Sequence, residues 1–413
     1  LIDRDKAVAA EKVALEAKKL EEAAKADALY EAYISKIGLA ASQIDKNAFD
    51  AARDVLKTCQ PELRNWEWGR LMYLCSQSEK DFDAKAPLDA LAVTRDSKLI
   101  ATGGWDAKVR IFDRESGKVL HTLEHGGEYV HAVAFAPDGK TLATGGNDPQ
   151  AFLTLWDVET GKRIKTFKGH DDSVVSVAFS NDGSRLLTGS YDKTARLWNV
   201  QSGEELLALK RHTWWVLTAA FSRDDERIVT AGQDGTAIVW DAKTGKTLFS
   251  PFRGHHGPVY SATFTPDGTH VVTGGYDRRI LIWDPREIEP ENFKNLASEG
   301  GVIPPAKFQS LDGHTDAVRS VAFAPGADKT LLVSAGQDHT VRIWDFPHRT
   351  AIKAFRGHGG SVHAASILTD GKAVLSAAHD GVVREWSIDN YEELRTLQGR
   401  ILSGHQDAIL GAA

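Results

Sequence analysis

From residue 81 to residue 400 the chain alternates short apolar, β-branched runs with polar turn clusters, and the alternation repeats about every 42 residues. Residues 169–210, GHDDSVVSVAFSNDGSRLLTGSYDKTARLWNVQSGEELLALK, form one period. Its four runs (VVSVAF, RLLTGS, TARLW, ELLALK) are separated by NDG- and QSG-type turn signals, which predicts an antiparallel meander of four strands. The third run of each unit ends on an aromatic residue: Phe112, Trp156, Trp198, Trp240, Trp283, Trp344 and Trp386. A His opens most units, at 125, 170, 212, 255, 314 and 358, with one more at 405.

A four-stranded unit cannot bury both sheet faces alone, so neighbours must stack on it, and radial closure removes most exposed edges. Seven aromatic terminators predict a mainly β, seven-bladed propeller over residues 81–400. Residues 401–413, ending LSGHQDAILGAA, read as the first strand of a truncated further repeat. The interval between Trp283 and Trp344 is stretched by an insertion at 285–305, where Pro285, Pro290, Pro304 and Pro305 exclude a regular strand and predict a surface loop.

The pattern before residue 81 is helical. LIDRDKAVAAEKVALEAKKLEEAAKADALYEAYISKI is rich in Ala, Glu, Lys and Leu and has no Gly or Pro, which predicts one long helix. Its apolar positions, among them Val13, Leu15, Leu20 and Leu29, do not sustain a heptad, so a coiled coil is only weakly encoded. Asp45 is expected to cap a second helix ended by Pro61, and LRNWEWGRLMYLCSQ to form a third. Together they make residues 1–80 an α-helical neck, a long helix plus a hairpin, with Trp66 and Trp68 packed against the propeller or the hairpin.

Composition narrows the function. A net charge of −7 argues against a phosphate-tracking surface, so no nucleic-acid partner is expected. No apolar run is long enough to span a bilayer. Two cysteines, Cys59 and Cys75, make neither a disulfide framework nor a zinc ribbon and leave the compartment open. P-loop, kinase-triplet, GxSxG and HExxH signatures are missing, and no catalytic residue, cofactor or metal site is called. Four of the inner strands read VVSVAF, VLTAAF, VYSATF and VRSVAF, which offer no convergent carboxylates or imidazoles for catalysis in the channel. Leu1 and a lone Met72 suggest a piece of a longer chain.

These repeats resemble the WD-repeat (WD40) family over about four-fifths of the chain. The resemblance implies a buried His, Ser/Thr, Asp and Trp set in each blade. The matching residues are His125, Thr144, Asp148 and Trp156; His170, Thr188, Asp192 and Trp198; His212, Thr230, Asp234 and Trp240; His255, Thr273, Asp277 and Trp283; His314, Ser334, Asp338 and Trp344; and His358, Ser376, Asp380 and Trp386. The first unit departs from this: Thr102 and Asp106 are present, but Phe112 replaces Trp and Ala84 stands where His is expected.

In relatives such as the heterotrimeric G-protein β subunit, partners sit on the narrow face, against residues three and five after the blade His and the residue before the Asp. Counted onto this chain, the rule gives Trp105, Tyr191, Trp215, Tyr260, Tyr276, Arg319, His363 and His379 as candidate partner-binding residues, and Glu128 and Val130 in the second blade. The expected function is a non-enzymatic scaffold that binds a protein or peptide. The neck, ISKIGLA, AFDAARDVLKTC and ELRNWEWGRLMYLC, is similar to the stretch preceding propellers in planctomycete-type bacterial proteins, some linked to a Ser/Thr kinase. That similarity implies an alternative role as the regulatory or sensory region of such a kinase.

Overall fold

The computed structural model describes residues 2–75, 77–249, 251–285, 308–324 and 331–388. Residues 286–305 of the insertion and the whole of 401–413 lie outside these, so the loop and further-repeat expectations fall outside the described residues. The chain divides into two compact units between Gln77 and Ser78.

In the first unit, helix α1 (Ile2–Asp45) runs past the expected end, because Gly38 is followed by the helix formers LAASQI and a single Gly weakens a helix without breaking it. Asp45 therefore closes α1 and caps nothing. The chain turns at Asn47, whose φ of +58° suits Asn in the left-handed region. Helix α2 (Phe49–Lys57) starts after Ala48 with no side-chain cap. Pro61 lies beyond the end of α2 and opens a short 3-10 turn instead. Helix α3 (Trp66–Cys75) is capped by Asn65, whose Oδ1 accepts from the Glu67 N–H at 3.1 Å.

The three helices bury Ala40, Phe49, Ala52, Leu56 and Cys75. Trp68 packs on this core and donates its indole N–H to the Leu56 carbonyl at 2.9 Å. Trp66 is 70% exposed, so the packing expectation fails for it. Val13, Leu15, Leu20 and Leu29 also face solvent, as their spacing gives no continuous apolar stripe.

The second unit consists of seven four-stranded antiparallel sheets. The third blade, with strands Val174–Phe179, Arg185–Ser190, Ala195–Asn199 and Glu205–Leu209, shows the common plan. Burial is greatest in the two middle strands: Leu186, Leu187, Leu197 and Trp198 are inaccessible, while Glu205 and Leu206 on the outermost strand face solvent. The NDG turn holds because Asp182 accepts from the Ser184 N–H at 2.9 Å and Gly183 takes φ +72°. Adjacent blades share apolar clusters, as where Leu187, Leu197 and Leu209 meet Ala219, Ile228 and Trp240.

Closure of the ring differs from the sequence expectation. The outermost strand of the seventh blade is Lys80–Asp83, from the start of the unit, paired antiparallel with Val382–Ser387 so that Phe82 lies opposite Val383. The boundary set at residue 80 thus falls inside the propeller. The reason is in the residues: Phe82 is 2% exposed and meets Phe112 edge-on at 5.8 Å, beside Leu88, Ile100 and Leu375. Arg114 of the first blade adds a hydrogen bond from Nε to Glu385 at 3.0 Å.

Candidate functional site

Five blades build the same polar set. In the third, His170 Nε2 meets the Thr188 hydroxyl at 2.6 Å, Nδ1 meets Asp192 at 2.6 Å, and the Trp198 indole donates to Thr188 at 2.9 Å. The corresponding His–Asp distances are 2.9 Å for His212–Asp234, 2.8 Å for His255–Asp277, and 2.9 Å for both His314–Asp338 and His358–Asp380. Trp240, Trp283, Trp344 and Trp386 each donate at 2.8 Å, to Thr230, Thr273, Ser334 and Ser376. Burial pushes each Asp up, but the imidazole hydrogen bond and charge outweigh it, and Asp234 and Asp380 are held at about 2.

The second blade keeps only half of its set. Trp156 donates to Thr144 at 2.8 Å, but His125 does not reach Asp148. Its Nδ1 lies 3.4 Å from the Gly126 carbonyl, and its Nε2 is buried with no partner among the described residues. One residue more separates His125 from its inner strand than in the third blade, and Gly126 is pressed against Asp148: a Cβ there would stand 2.3 Å from the carboxylate. In the first blade Asp106 pairs with Arg110 at 2.6 Å, Ala84 and Phe112 are buried, and the Thr102 hydroxyl has no partner among the described residues.

A contrast follows from these sets. Thr102→Val removes an unsatisfied hydroxyl and leaves the melting temperature unchanged or higher. Thr188→Val strands both His170 Nε2 and the Trp198 N–H, each orphan costing about 1–3 kcal/mol. Paired urea titrations of the two variants measure the difference.

On the face that carries the His residues, the mouth of the channel is assembled by a repeated irregularity. In every blade the pairing of the innermost strand steps over its second residue, a bulge that re-aims that side chain. The seven residues so placed are Asp89, His131, Val175, Leu217, Tyr260, Arg319 and His363, and all line one cavity of about 330 Å³ together with Tyr191, Trp215 and Gln233.

Asp89 is the focus of this ring. His131 Nδ1 lies 2.9 Å from Oδ2, while His363 Nδ1 and His379 Nε2 each lie 3.1 Å from Oδ1. Burial alone would raise the Asp89 carboxyl, yet the hydrogen bonds from His131, His363 and His379 hold it far below the usual carboxylate range. Burial depresses His363 to about 4, opposed by its hydrogen bond to Asp89 and reinforced by the Arg319 charge, so this imidazole is neutral at pH 7.

Aromatic contacts continue from this cluster around the mouth. His379 meets Trp105 at 4.8 Å, Trp105 meets Tyr129 at 5.6 Å, and Tyr129 stacks on His131 at 5.6 Å. His131 reaches Tyr191 at 6.1 Å, and Tyr191 stacks on Trp215 at 4.3 Å. Arg319 lies 4.1 Å over Tyr260. Tyr276 is 56% exposed, sits against Gly257 and does not line the cavity.

The counting rule placed Trp105, Tyr191, Trp215, Tyr260, Arg319, His363 and His379 at this mouth but missed three residues that complete it. Asp89 is the fifth residue after Ala84, which stands in the His position of the first blade, and escapes a rule counted only from histidines. In the second blade the extra residue shifts the frame: the fifth position after His125 is Val130, which is fully buried, whereas the cavity residue is His131, with Tyr129 before it. Counting from the first apolar residue of the inner strand (Leu88, Val130, Val259, Val318, Val362) would have found them. The strands LDALAV, VHAVAF and VHAASI supply the carboxylate and two imidazoles that the other four lack.

Seven four-stranded sheets around one channel, five with a His, Ser/Thr, Asp and Trp set, define a WD-type β-propeller. The chain belongs to the "WD domain, G-beta repeat" family, whose profile matches residues 78–113, 117–153, 161–199, 203–241, 245–284, 306–345 and 349–387. The first of these stretches starts before the closing strand Lys80–Asp83, as the ring closure requires.

Among curated proteins it is similar to the small ribosomal subunit protein RACK1 of Drosophila melanogaster, 31% identical over 98 residues, 24% of this chain and 29% of the relative. It is also similar to striatin of Rattus norvegicus, 30% identical over 122 residues, 25% of this chain and 15% of the relative. A probable coatomer subunit beta' of Schizosaccharomyces pombe is 26% identical over 87 residues, 21% of this chain and 11% of the relative. The matches thus span less than a third of each of these relatives. No described helix is long and apolar enough to cross a membrane.

Proposed function

We propose that the propeller is a non-enzymatic interaction module that binds a peptide or protein segment at the channel mouth, on the narrow face. The observation that carries this reading is the arc of ring contacts from His379 through Trp105 and Tyr191 to Trp215, with Trp105 and Trp215 both exposed beside a polar cavity. Large, rigid, half-exposed aromatics lose little entropy on binding and are typical anchors of interfaces. Relatives named as a ribosomal subunit protein and a coatomer subunit, parts of larger assemblies, support the same reading.

The test is a random peptide library selected on the intact protein and on a variant with Trp105, Tyr191, Trp215, Tyr260 and Tyr276 all changed to Ala. Peptides selected on the native protein lose at least about 30-fold in affinity on the variant, since one anchor is worth about 2 kcal/mol or more. Equal binding by a variant that melts like the native protein removes the proposal. The neck resemblance supports a second reading, in which this region is the regulatory part of a bacterial WD-repeat Ser/Thr kinase. A kinase catalytic motif in the same reading frame decides it.

A further inference from the structure

We propose that Asp89, His363 and His379 form a binding site for a divalent transition-metal ion, Zn2+ or a similar cation, at the mouth of the channel, with His131 holding the carboxylate. One ligand atom from each of the three lies within 4.8 Å of those of the other two. His363 Nδ1 and His379 Nε2 both stand 3.1 Å from the same Asp89 oxygen. Donor atoms around a tetrahedral ion with bonds of about 2.0–2.1 Å are spaced by about 3.3 Å, so the two nitrogens and the oxygen need shift only slightly to surround one. Two imidazoles and a carboxylate are a borderline-soft donor set, which favours Zn2+ or Co2+ over Ca2+ or Mg2+.

The cluster is built rather than incidental. Asp89 and His363 are brought inward by the strand bulges of two neighbouring blades, and His379 is steadied edge-on by Trp105 at 4.8 Å. His131 donates to the other Asp89 oxygen at 2.9 Å, the outer-shell contact that orients a metal-binding carboxylate. The His363 side chain is 8% exposed, and its Nε2 is buried without a partner among the described residues. The His363 and His379 rings approach to 3.8 Å between centroids, which brings both imidazoles to the same side of Asp89.

Three protein ligands leave the fourth position open toward the cavity, where water occupies it in the free protein. Arg319, over Tyr260 in the same cavity, is placed to favour an anionic group there.

The experiment is a Co2+ titration of chelator-treated full-length protein, followed by displacement with Zn2+. Expected is one equivalent of saturable binding with the intense visible bands of four-coordinate Co2+, lost when Zn2+ is added. His379→Ala, at a partly exposed side chain, and Asp89→Asn abolish those bands, and His131→Gln weakens binding about 10–100-fold. Thermal melts of each variant separate loss of the site from loss of the fold. The native titration stands without them: absence of saturable binding or of tetrahedral bands overturns the proposal. So does a folded His379→Ala protein that binds as the native one does, which would place the ion at other histidines.

Discussion

Replacing Phe82 by Ala lowers the stability of the propeller by about 3–5 kcal/mol, the range for truncating a fully buried Phe. The side chain is 2% exposed and lies where the first and seventh blades meet, against Phe112, Leu88, Ile100, Leu375 and Val383. Few residues collapse into the space it leaves, because strands on both sides are held by their own ladders. The loss also acts on the one sheet whose strands come from opposite ends of the unit. Lys80–Asp83 is only four residues long, and its pairing to Val382–Ser387 depends on the anchor. Urea unfolding measures the change, with Val119→Ala on the exposed outer strand of the first blade as a control expected within about 0.5 kcal/mol. A Phe82→Ala effect below about 1 kcal/mol would mean that another segment closes the ring.

Acid removes a large part of the stability of the propeller between about pH 4 and pH 2. In the folded protein Asp234 and Asp380 titrate at about 2 against an ordinary 3.8, and Asp192, Asp277 and Asp338 are lowered too. Burial opposes this in every case, and the hydrogen bond and charge of the paired His override it. A carboxyl with a depressed folded pKa stabilises above its unfolded value and loses that contribution as pH falls through the folded one. At roughly 1.4 kcal/mol per unit, each of Asp234 and Asp380 contributes about 2 kcal/mol. Together these two contribute about 4 kcal/mol, a large share of the stability of a domain, and Asp192, Asp277 and Asp338 act in the same direction.

A shallower loss precedes it. Burial lowers His125 and His358 from 6.5, so below that pH the unfolded chain takes up protons that the folded one refuses. The urea midpoint followed from pH 7 to pH 2.5 shows a gentle decline and then a steep one. Asp234→Asn lowers the plateau at neutral pH and shallows the steep limb, and a flat profile between pH 5 and pH 3 would refute the linkage.

The periodic His, turn signals and terminal Trp carried the blade count and five complete polar sets, because those features recur within one unit and depend on local pairing. The helical neck was legible in outline, but its caps were misread. Asp45 lies at the end of the first helix, which continues through Gly38, and Asn47 decides the turn through its left-handed backbone. The second-blade set was only half right, since one extra residue before the inner strand moves His125 away from Asp148. The same shift hid His131.

By itself the sequence determined the propeller, its seven repeats and the aromatic character of one face, since these follow from alternation and spacing inside each unit. Only the tertiary structure decided how the ring closes and what meets at its centre. Phe82 reaches Phe112 and Val383, and Asp89 reaches His131, His363 and His379, across separations of up to 290 residues. No local pattern encodes such contacts, because they exist only once seven bulged inner strands converge on one axis.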